Sequence, residues 1–382
     1  MKKYKIASII NSMKLEVGGP SHSLKDLAYS NYLNNIQHDV VHLEKKINFN
    51  HNKKINYINL NQKFLKYGFS FKLLIWLIKN RNNYKLFIIH GIWQFQTLCA
   101  RLIIPNKYIV FTHGMLDPYF GTELFKSIKK KIYWFFIEKK NLLKAKYVIA
   151  NSEKEVLHLK NTFVDTKELN IKKVNYGIIP KKINLKKSKI AFLKKFNFLK
   201  KKKTILYIGR IHPKKGCDLL VQAFKDLKKK HNYKLLIAGE INNNYARQLV
   251  KFVEKNNLKN KVYFLGFLKD HLKWGAISFS KCSILPSHGE NFGVSVIESL
   301  SVKTPVICSN KVGVYNKIKK FNSGIIINDN KKSIQEGLEK FINLDLKKLK
   351  KLKQNCKICF NVNYNLLKNN YFSNWIKFIY KN

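Results

Sequence analysis

Short apolar runs that end in glycine and give way to helical spacing recur along the chain. The first is Tyr4–Ile10, a predicted buried strand. Gly18-Gly19-Pro20-Ser21 follows, and then a helix over about 22–33 with Leu24, Leu27 and Ala28 on one face. Further strands are expected over 40–43, 86–90, 109–112 and 147–150, and in the second half over 204–208, 235–238, 262–265, 283–285, 305–308 and 324–327. Helices are expected over 64–79, 125–144, from about 218, over 245–254, from 294, and over 331–342, 345–359 and 365–381. Ser152, three residues before Glu155, fits a capping box. Residues 45–62 read as loop, and the lysine-rich stretch 181–203 as a linker into a second domain. Repeated strand–glycine–helix units on both sides of that linker predict two parallel-sheet, Rossmann-like α/β domains facing a cleft. They would span residues 1–180 and 181–364, with 365–382 as a closing helix.

Composition sharpens this picture. A chain of 382 residues, 45% hydrophobic, can fill two cores. Its 74 Lys+Arg against 22 Asp+Glu leave a formal charge of +52, which invites a nucleic-acid or anionic-membrane partner. No recognition-helix pattern, zinc-finger spacing or aromatic RNA-binding motif accompanies the charge, so specific nucleic-acid binding is not expected. Lysine is spread through helices and loops alike, as compositional bias would also produce. The 125–144 segment, with Lys129, Lys130, Lys131, Tyr133, Trp134, Phe135 and Phe136, suits a membrane-surface helix and equally a core helix with wet lysines. Six scattered cysteines suit a reducing compartment, and the lone Cys356-x-x-Cys359 reads as structural filler. The apolar run 6–10 is too short for a signal peptide, and no run approaches membrane-spanning length. These features together predict a cytoplasmic protein, soluble or peripheral on the cytoplasmic face of a membrane.

Candidate chemistry concentrates in residues 286–299. A strand leads into Gly289-Glu290-Asn291-Phe292-Gly293, and helical spacing begins at Val294. Free N–H groups at such a helix start attract anions, and Glu290 and Glu298 add two carboxylates suited to hydroxyls. The same stretch would also serve as a plain strand–helix junction with two solvated glutamates. Two predicted strands of the first half end in His90-Gly91 and His113-Gly114, at the position where open α/β sheets place ligands.

In order, Gly18-Gly19, the run 112–118 (Thr-His-Gly-Met-Leu-Asp-Pro), Asn151-Ser152-Glu153, Asn175-Tyr176-Gly177-Ile178, the run 209–216 with Arg210 and Lys215, Ala238-Gly239-Glu240, Phe264-Leu265-Gly266 and the 286–299 stretch resemble the retaining glycosyltransferases of family 4. The resemblance covers nearly the whole chain and points to the subgroup that builds cell-surface polysaccharides and O-antigen. It implies a GT-B fold whose last helix crosses back to the N-terminal domain. It also implies a hexosyltransferase with a nucleotide-diphospho-sugar donor (UDP or GDP) and a saccharide or lipid-linked glycan acceptor.

Carried to matching positions, it implies that Arg210 and Lys215 neutralise the diphosphate and that Glu290 accepts from sugar hydroxyls. Glu298 would accept from the ribose, backbone near Gly266-Phe267-Leu268 would meet the base, and His113 would lie near the transferred sugar. Gly18, Gly19, Gly209, Asn291, Phe292, Gly293 and Val294 complete the implied donor site. No Asp-x-Asp pair occurs, so neither metal nor cofactor is expected. Ser299 and Ser301 stand where the family more often has alanine. The competing functions are a nucleotide-sugar epimerase on the same fold and a basic membrane- or nucleic-acid-binding protein.

Overall fold

The computed structural model describes residues 4–14, 19–44, 53–65, 67–118, 124–180, 183–227 and 232–381. Gly18, expected in the donor site, lies outside them. The chain forms two compact units, Met1–Ile179 with Leu366–Asn382, and Pro180–Asn365.

The N-terminal unit holds seven strands: β1 Tyr4–Ile10, β2 Ile36–His42, β3 Tyr57–Asn59, β4 Leu86–His90, β5 Tyr108–Phe111, β6 Tyr147–Ala150 and β7 Ile171–Lys173. They pair in the order β3-β2-β1-β4-β5-β6-β7, every pair parallel. The C-terminal unit holds β8 Lys203–Ile208, β9 Tyr233–Ala238, β10 Val262–Phe264, β11 Cys282–Leu285, β12 Val306–Ser309 and β13 Gly324–Ile327. Their order is β10-β9-β8-β11-β12-β13, again all parallel. Each sheet is doubly wound, so chain direction across the sheet reverses at one place, between β1 and β4 and between β8 and β11. In open α/β sheets that reversal opens a crevice at the strand C-termini where ligands bind. Near-continuous apolar strands such as Ile109–Val110 and Leu235–Leu236–Ile237 are buried because helices cover both faces.

Asparagine is common in this chain, and several helices use it. Asn184, Asn243 and Asn330 accept the amide hydrogens of Lys187, Ala246 and Ser333 at 3.0, 2.9 and 2.9 Å, each satisfying a helix-start N–H. Several expectations need correction. The supposed helix over 64–79 is helical only over Phe71–Asn80, because Ser70 caps it by accepting from Leu73 N, and Phe64 and Phe69 pair as an antiparallel bridge before it. Residues 45–62 are not loop throughout, since β3 lies there. β2 begins at Ile36 rather than 40, because its polar residues His38 and Asp39 are themselves buried. Helices Phe95–Ile103 and Asp270–Phe279 escaped the pattern. The closing helix runs Tyr371–Lys381, its neighbour extends over Leu346–Asn363, and the 125–144 helix is interrupted by a π-helical turn at Trp134–Glu138. That segment buries Trp134 and Glu138 while leaving Ile128, Ile132, Phe135 and Phe136 exposed.

The closing helix packs within the N-terminal unit. Lys5 donates its amide hydrogen to the Tyr380 hydroxyl at 2.9 Å, and Phe372 lies 5.9 Å from the Phe111 ring.

The stretch read as a linker contains the helix Leu185–Lys195, whose Phe192 is fully buried against Phe196 and Phe279, with ring centroids 5.1 and 5.7 Å away. Five lysines across 185–195 mask a core-facing side formed by Ser188 and Phe192. Phe192→Ala should therefore destabilise the C-terminal unit by about 3–5 kcal/mol, while Ile190→Ala, at a position 67% exposed, should change it little. Denaturant unfolding of the two variants beside the parent checks this; equal effects would show that the helix is not part of the core.

Candidate functional site

In the C-terminal unit most of the predicted residues lie on or just beyond the loops after β8 and β11, the two strands flanking the reversal of strand order, while Gly266, Phe267 and Leu268 follow the edge strand β10. After β8 the chain passes Gly209 and Arg210 and turns through a short 3-10 helix, Pro213–Lys215, whose first residues are capped by His212 accepting from Lys214 N at 3.1 Å. After β11 come Pro286, Ser287, His288, Gly289 and Glu290. The two loops are tied together: His288 N–H and the Ser287 hydroxyl both donate to the Lys214 carbonyl, at 2.9 and 2.8 Å. Gly216 sits at φ +66° so close to the second loop that an added Cβ would lie 2.4 Å from the Pro286 carbonyl oxygen.

This docking places the Lys215 ammonium on the Glu290 carboxylate, with side chains 13% and 24% exposed. Burial works against ionising Glu290. The Lys215 charge and hydrogen bond, followed by Lys214 and Arg210, outweigh it and hold the carboxyl below the usual carboxylate range. Arg210 is exposed and makes no ion pair with a described residue, while its carbonyl accepts from the Tyr207 hydroxyl at 2.7 Å. The Glu290 backbone is pinned from the far side, where its amide donates to Lys311 O at 3.1 Å and its carbonyl accepts from Gly313 N at 2.8 Å.

Asn291 is half-buried. Phe292 is buried edge-on against Tyr364, with centroids 6.0 Å apart. Gly293, at φ +85°, caps the helix Val294–Ser301. Intrahelical bonds begin only with Val296 and Ile297 donating to Gly293 O, so the Val294 and Ser295 amides precede them at the positive end of the helix dipole. Glu298 lies on this helix, 8% exposed, bound at 2.6 Å by Lys273. Ser299 donates to Ser283 on β11 at 2.8 Å and Ser301 to Glu298 O at 2.6 Å, so both hydroxyls are satisfied where alanine is commoner. Gly266, at φ +69°, faces open space, and Phe267 is 39% exposed, whereas the Leu268 side chain belongs to the core and leaves only its backbone available.

In the N-terminal unit Gly19 opens the helix Gly19–Leu33 directly after the β1 loop. His113 follows β5 at φ +50°, an unusual conformation for a residue with a side chain. One carboxylate holds this turn: Glu155 accepts from the Thr112 hydroxyl at 2.7 Å and from Gly114 N at 2.8 Å, one residue to each side of His113. Ser152 caps the Glu155 helix as expected, accepting from Glu155 N at 3.0 Å, but the Glu155 carboxylate also binds Asn151 N at 2.7 Å. His113 Nε2 lies 3.0 Å from His90 Nδ1, and burial lowers the His113 pKa to about 4.

Sequence reasoning missed Lys273, one lysine among many, and Glu155 as the holder of the His113 turn. It also missed Asp329, 3.0 Å from His288 Nδ1. Acidic residues are scarce here, and that scarcity was the one available signal for Glu155. All six cysteines are free and buried. Cys356 donates to Ser323 O at 3.2 Å, and among the described residues no cluster of metal-ligating side chains includes the Cys356–Cys359 pair. No helix among the described residues is long and apolar enough to cross a membrane.

Residues 188–358 match the family model described as glycosyl transferases group 1. Among curated relatives, an uncharacterised glycosyltransferase of Methanocaldococcus jannaschii is 30% identical over 142 residues, 37% of this chain and 36% of that protein. The capsular polysaccharide biosynthesis glycosyltransferase CapM of Staphylococcus aureus is 30% identical over 141 residues, covering 36% of each chain. The O-antigen biosynthesis glycosyltransferase WclY of Escherichia coli is 27% identical over 225 residues, 56% of this chain and 55% of its own. The chain thus spans about a third of the length of the first curated relatives it matches. Solved structures match over nearly all of it. A sucrose-phosphate synthase from Thermosynechococcus elongatus superposes with TM-score 0.76 at 17% identity, covering 99% of this chain and 98% of that one. Anabaena HepE in complex with UDP-glucose does so with TM-score 0.75 at 16% identity, covering 99% of each. At these identities the structural matches speak for fold. With the doubly wound sheets and the family match over 188–358, they make this a GT-B chain that resembles the glycosyltransferases of capsular polysaccharide and O-antigen biosynthesis.

Proposed function

We propose that the chain is a retaining family 4 glycosyltransferase that moves a hexose from a UDP- or GDP-sugar to a saccharide or lipid-linked glycan in cell-surface polysaccharide biosynthesis. The observation that carries this reading is the Lys215–Glu290 pair beside Arg210, set against the start of the Val294–Ser301 helix. A departing diphosphate needs its growing charge neutralised, and preorganised cations and helix-terminal amides supply that without reorganising during the reaction. Arg210 offers a planar fork and Lys215 a point charge. Glu290, kept ionised by those cations, accepts hydrogen bonds from sugar hydroxyls, Glu298 from the ribose, and the backbone of Gly266, Phe267 and Leu268 meets the base. Gly19 and His113 of the N-terminal unit serve the diphosphate and the transferred sugar. That the fold neighbour from Anabaena was solved with UDP-glucose favours a nucleotide-sugar donor.

In the proposed step the acceptor hydroxyl attacks the anomeric carbon on the face the phosphate leaves. Its proton passes to the departing phosphate oxygen, one C–O bond breaks as another forms, and configuration is retained. The two glutamates are therefore not a hydrolytic acid–base pair.

Screening a panel of UDP-, GDP- and ADP-sugars for nucleotide release tests the activity. Glu290→Ala and Lys215→Ala should each lower turnover by at least about 100-fold, the scale on which losing one charge-stabilising group acts. Circular dichroism should stay unchanged; near-parental turnover in either variant would remove these residues from the mechanism. With cations supplied by Arg210 and Lys215, EDTA should leave the rate unaltered, and a chelator-sensitive rate restored by a divalent ion would overturn the metal-independent reading. We further propose that Ile128, Ile132, Phe135 and Phe136, exposed on one helical face beside Lys129, Lys130 and Lys131, rest on an anionic bilayer surface. Co-sedimentation with phosphatidylglycerol vesicles, absent with phosphatidylcholine and lost in Phe135→Ser/Phe136→Ser, is the expected result. Equal binding by that variant would exclude this face.

A further inference from the structure

Behind His113 a file of polar side chains crosses the N-terminal unit on one face of its sheet. The Ser373 hydroxyl, on the helix Tyr371–Lys381, donates to Asn31 Oδ1 at 2.7 Å. Asn31 Nδ2, on the helix Gly19–Leu33, lies 2.9 Å from His38 Nδ1. His38 Nε2 lies 2.7 Å from Ser8 Oγ, Ser8 Oγ 3.1 Å from His90 Nε2, and His90 Nδ1 3.0 Å from His113 Nε2. Strand register produces the file. His38 on β2 stands opposite Ile6 and His90 on β4 opposite Ile10, so both flank Ser8 on the face that Ile6, Ser8 and Ile10 share. Ser373, Asn31, His38, Ser8 and His90 are each no more than 3% exposed.

Burial makes the direction of these bonds an accounting problem, because an unmade hydrogen bond at a buried donor costs about 1–3 kcal/mol. Burial also keeps the three rings neutral, with His38 lowered to about 3, His90 well below its ordinary value, and His113 lowered to about 4. Each ring then has one donor and one acceptor nitrogen. Asn31 Oδ1 is taken by the Ser373 O–H, so its amide nitrogen faces His38 and must donate. His38 Nδ1 accepts, and its hydrogen sits on Nε2, pointing at Ser8. Among the described residues the Ser8 hydroxyl has only His38 and His90 as partners, and His38 already donates to it. Its own hydrogen goes to His90 Nε2. His90 therefore carries its hydrogen on Nδ1 and gives it to His113 Nε2. His113 Nδ1 meets no described hydrogen-bond partner.

We infer that Ser373, Asn31, His38, Ser8 and His90 are positioning residues that lock His113 as its Nδ1–H tautomer and so present one hydrogen-bond donor, never an acceptor, to whatever occupies the His113 turn. The assignment of His113 to the transferred sugar rests on the proposed function; the tautomer does not. On that reading His113 donates to a lone pair of a sugar hydroxyl, and a sugar lacking an oxygen there leaves the N–H unpaired.

The test is the nitrogen spectrum of full-length protein carrying 15N-histidine, with His113 resonances assigned by their loss in His113→Asn. Wild-type His113 should show a protonated, pyrrole-type Nδ1 and a bare, pyridine-type Nε2. An Nε2–H tautomer or an imidazolium at pH 7 would overturn the proposal. Asn31→Asp replaces the amide donor with an acceptor and should invert every bond in the file, moving the His113 hydrogen to Nε2. Ser8→Ala breaks the file and should leave His113 with mixed tautomers, and it decides the matter if Asn31→Asp does not fold. A folded variant of either kind with unaltered His113 signals refutes the relay. Where transfer is measurable, Ser8→Ala should lower kcat about tenfold with less effect on the acceptor KM. A clean Nδ1–H spectrum without any transfer would separate failure of the proposed function from failure of this inference.

Discussion

A carboxylate taken half out of water must be compensated by a cation or by hydrogen-bond donors, and in the C-terminal unit a lysine does this for Glu290. Glu290 meets Lys215 because β8 and β11 are neighbours and the loops that follow them share hydrogen bonds through the Lys214 carbonyl. The contact depends on Gly216, where any side chain would meet the Pro286 carbonyl, and on Gly293, which turns the chain into the Val294–Ser301 helix. Removing one member would leave the other poorly solvated, so the pair holds the turn as well as the charge.

The N-terminal unit follows the same logic with neutral groups. Its sheet also reverses order at one place, between β1 and β4, and there Gly19 and His90 stand. The His113 turn, at a backbone angle that costs energy, is held by Glu155 on both sides and by His90 behind it. Burying Ser8, His38 and His90 on a sheet face, with Asn31 on the helix above it, is tolerable because each finds a partner.

The basic composition is less of a clue than its size suggests. Many lysines sit on exposed faces, as Lys269 does with its ammonium 5.6 Å from the centre of the Phe267 ring. Asparagines cap helices. A few lysines, Lys215 and Lys273 among them, have partners that distinguish them from the rest, and those partners are acids, of which the chain has few.

Alternation of apolar runs, glycines and helical spacing was enough to place most strands, among them β1, β4, β6 and β13 to the residue, because strands buried on both faces need continuous apolar sequence. It also placed Glu290 and Glu298 as candidates, since carboxylates beside a glycine turn are visible in one dimension, whereas Arg210 and Lys215 became candidates through the family resemblance. Where lysine or polar residues filled the pattern, as over 185–195 and at Gln37, His38 and Asp39, the signal vanished, although Phe192 and His38 are core. Pairing was never legible: that Glu298 takes Lys273, that Glu155 grips the His113 turn, and that a residue from the last helix reaches Asn31. Those contacts join residues 25, 41 and 342 positions apart, and only the folded sheet order brings them within hydrogen-bond distance.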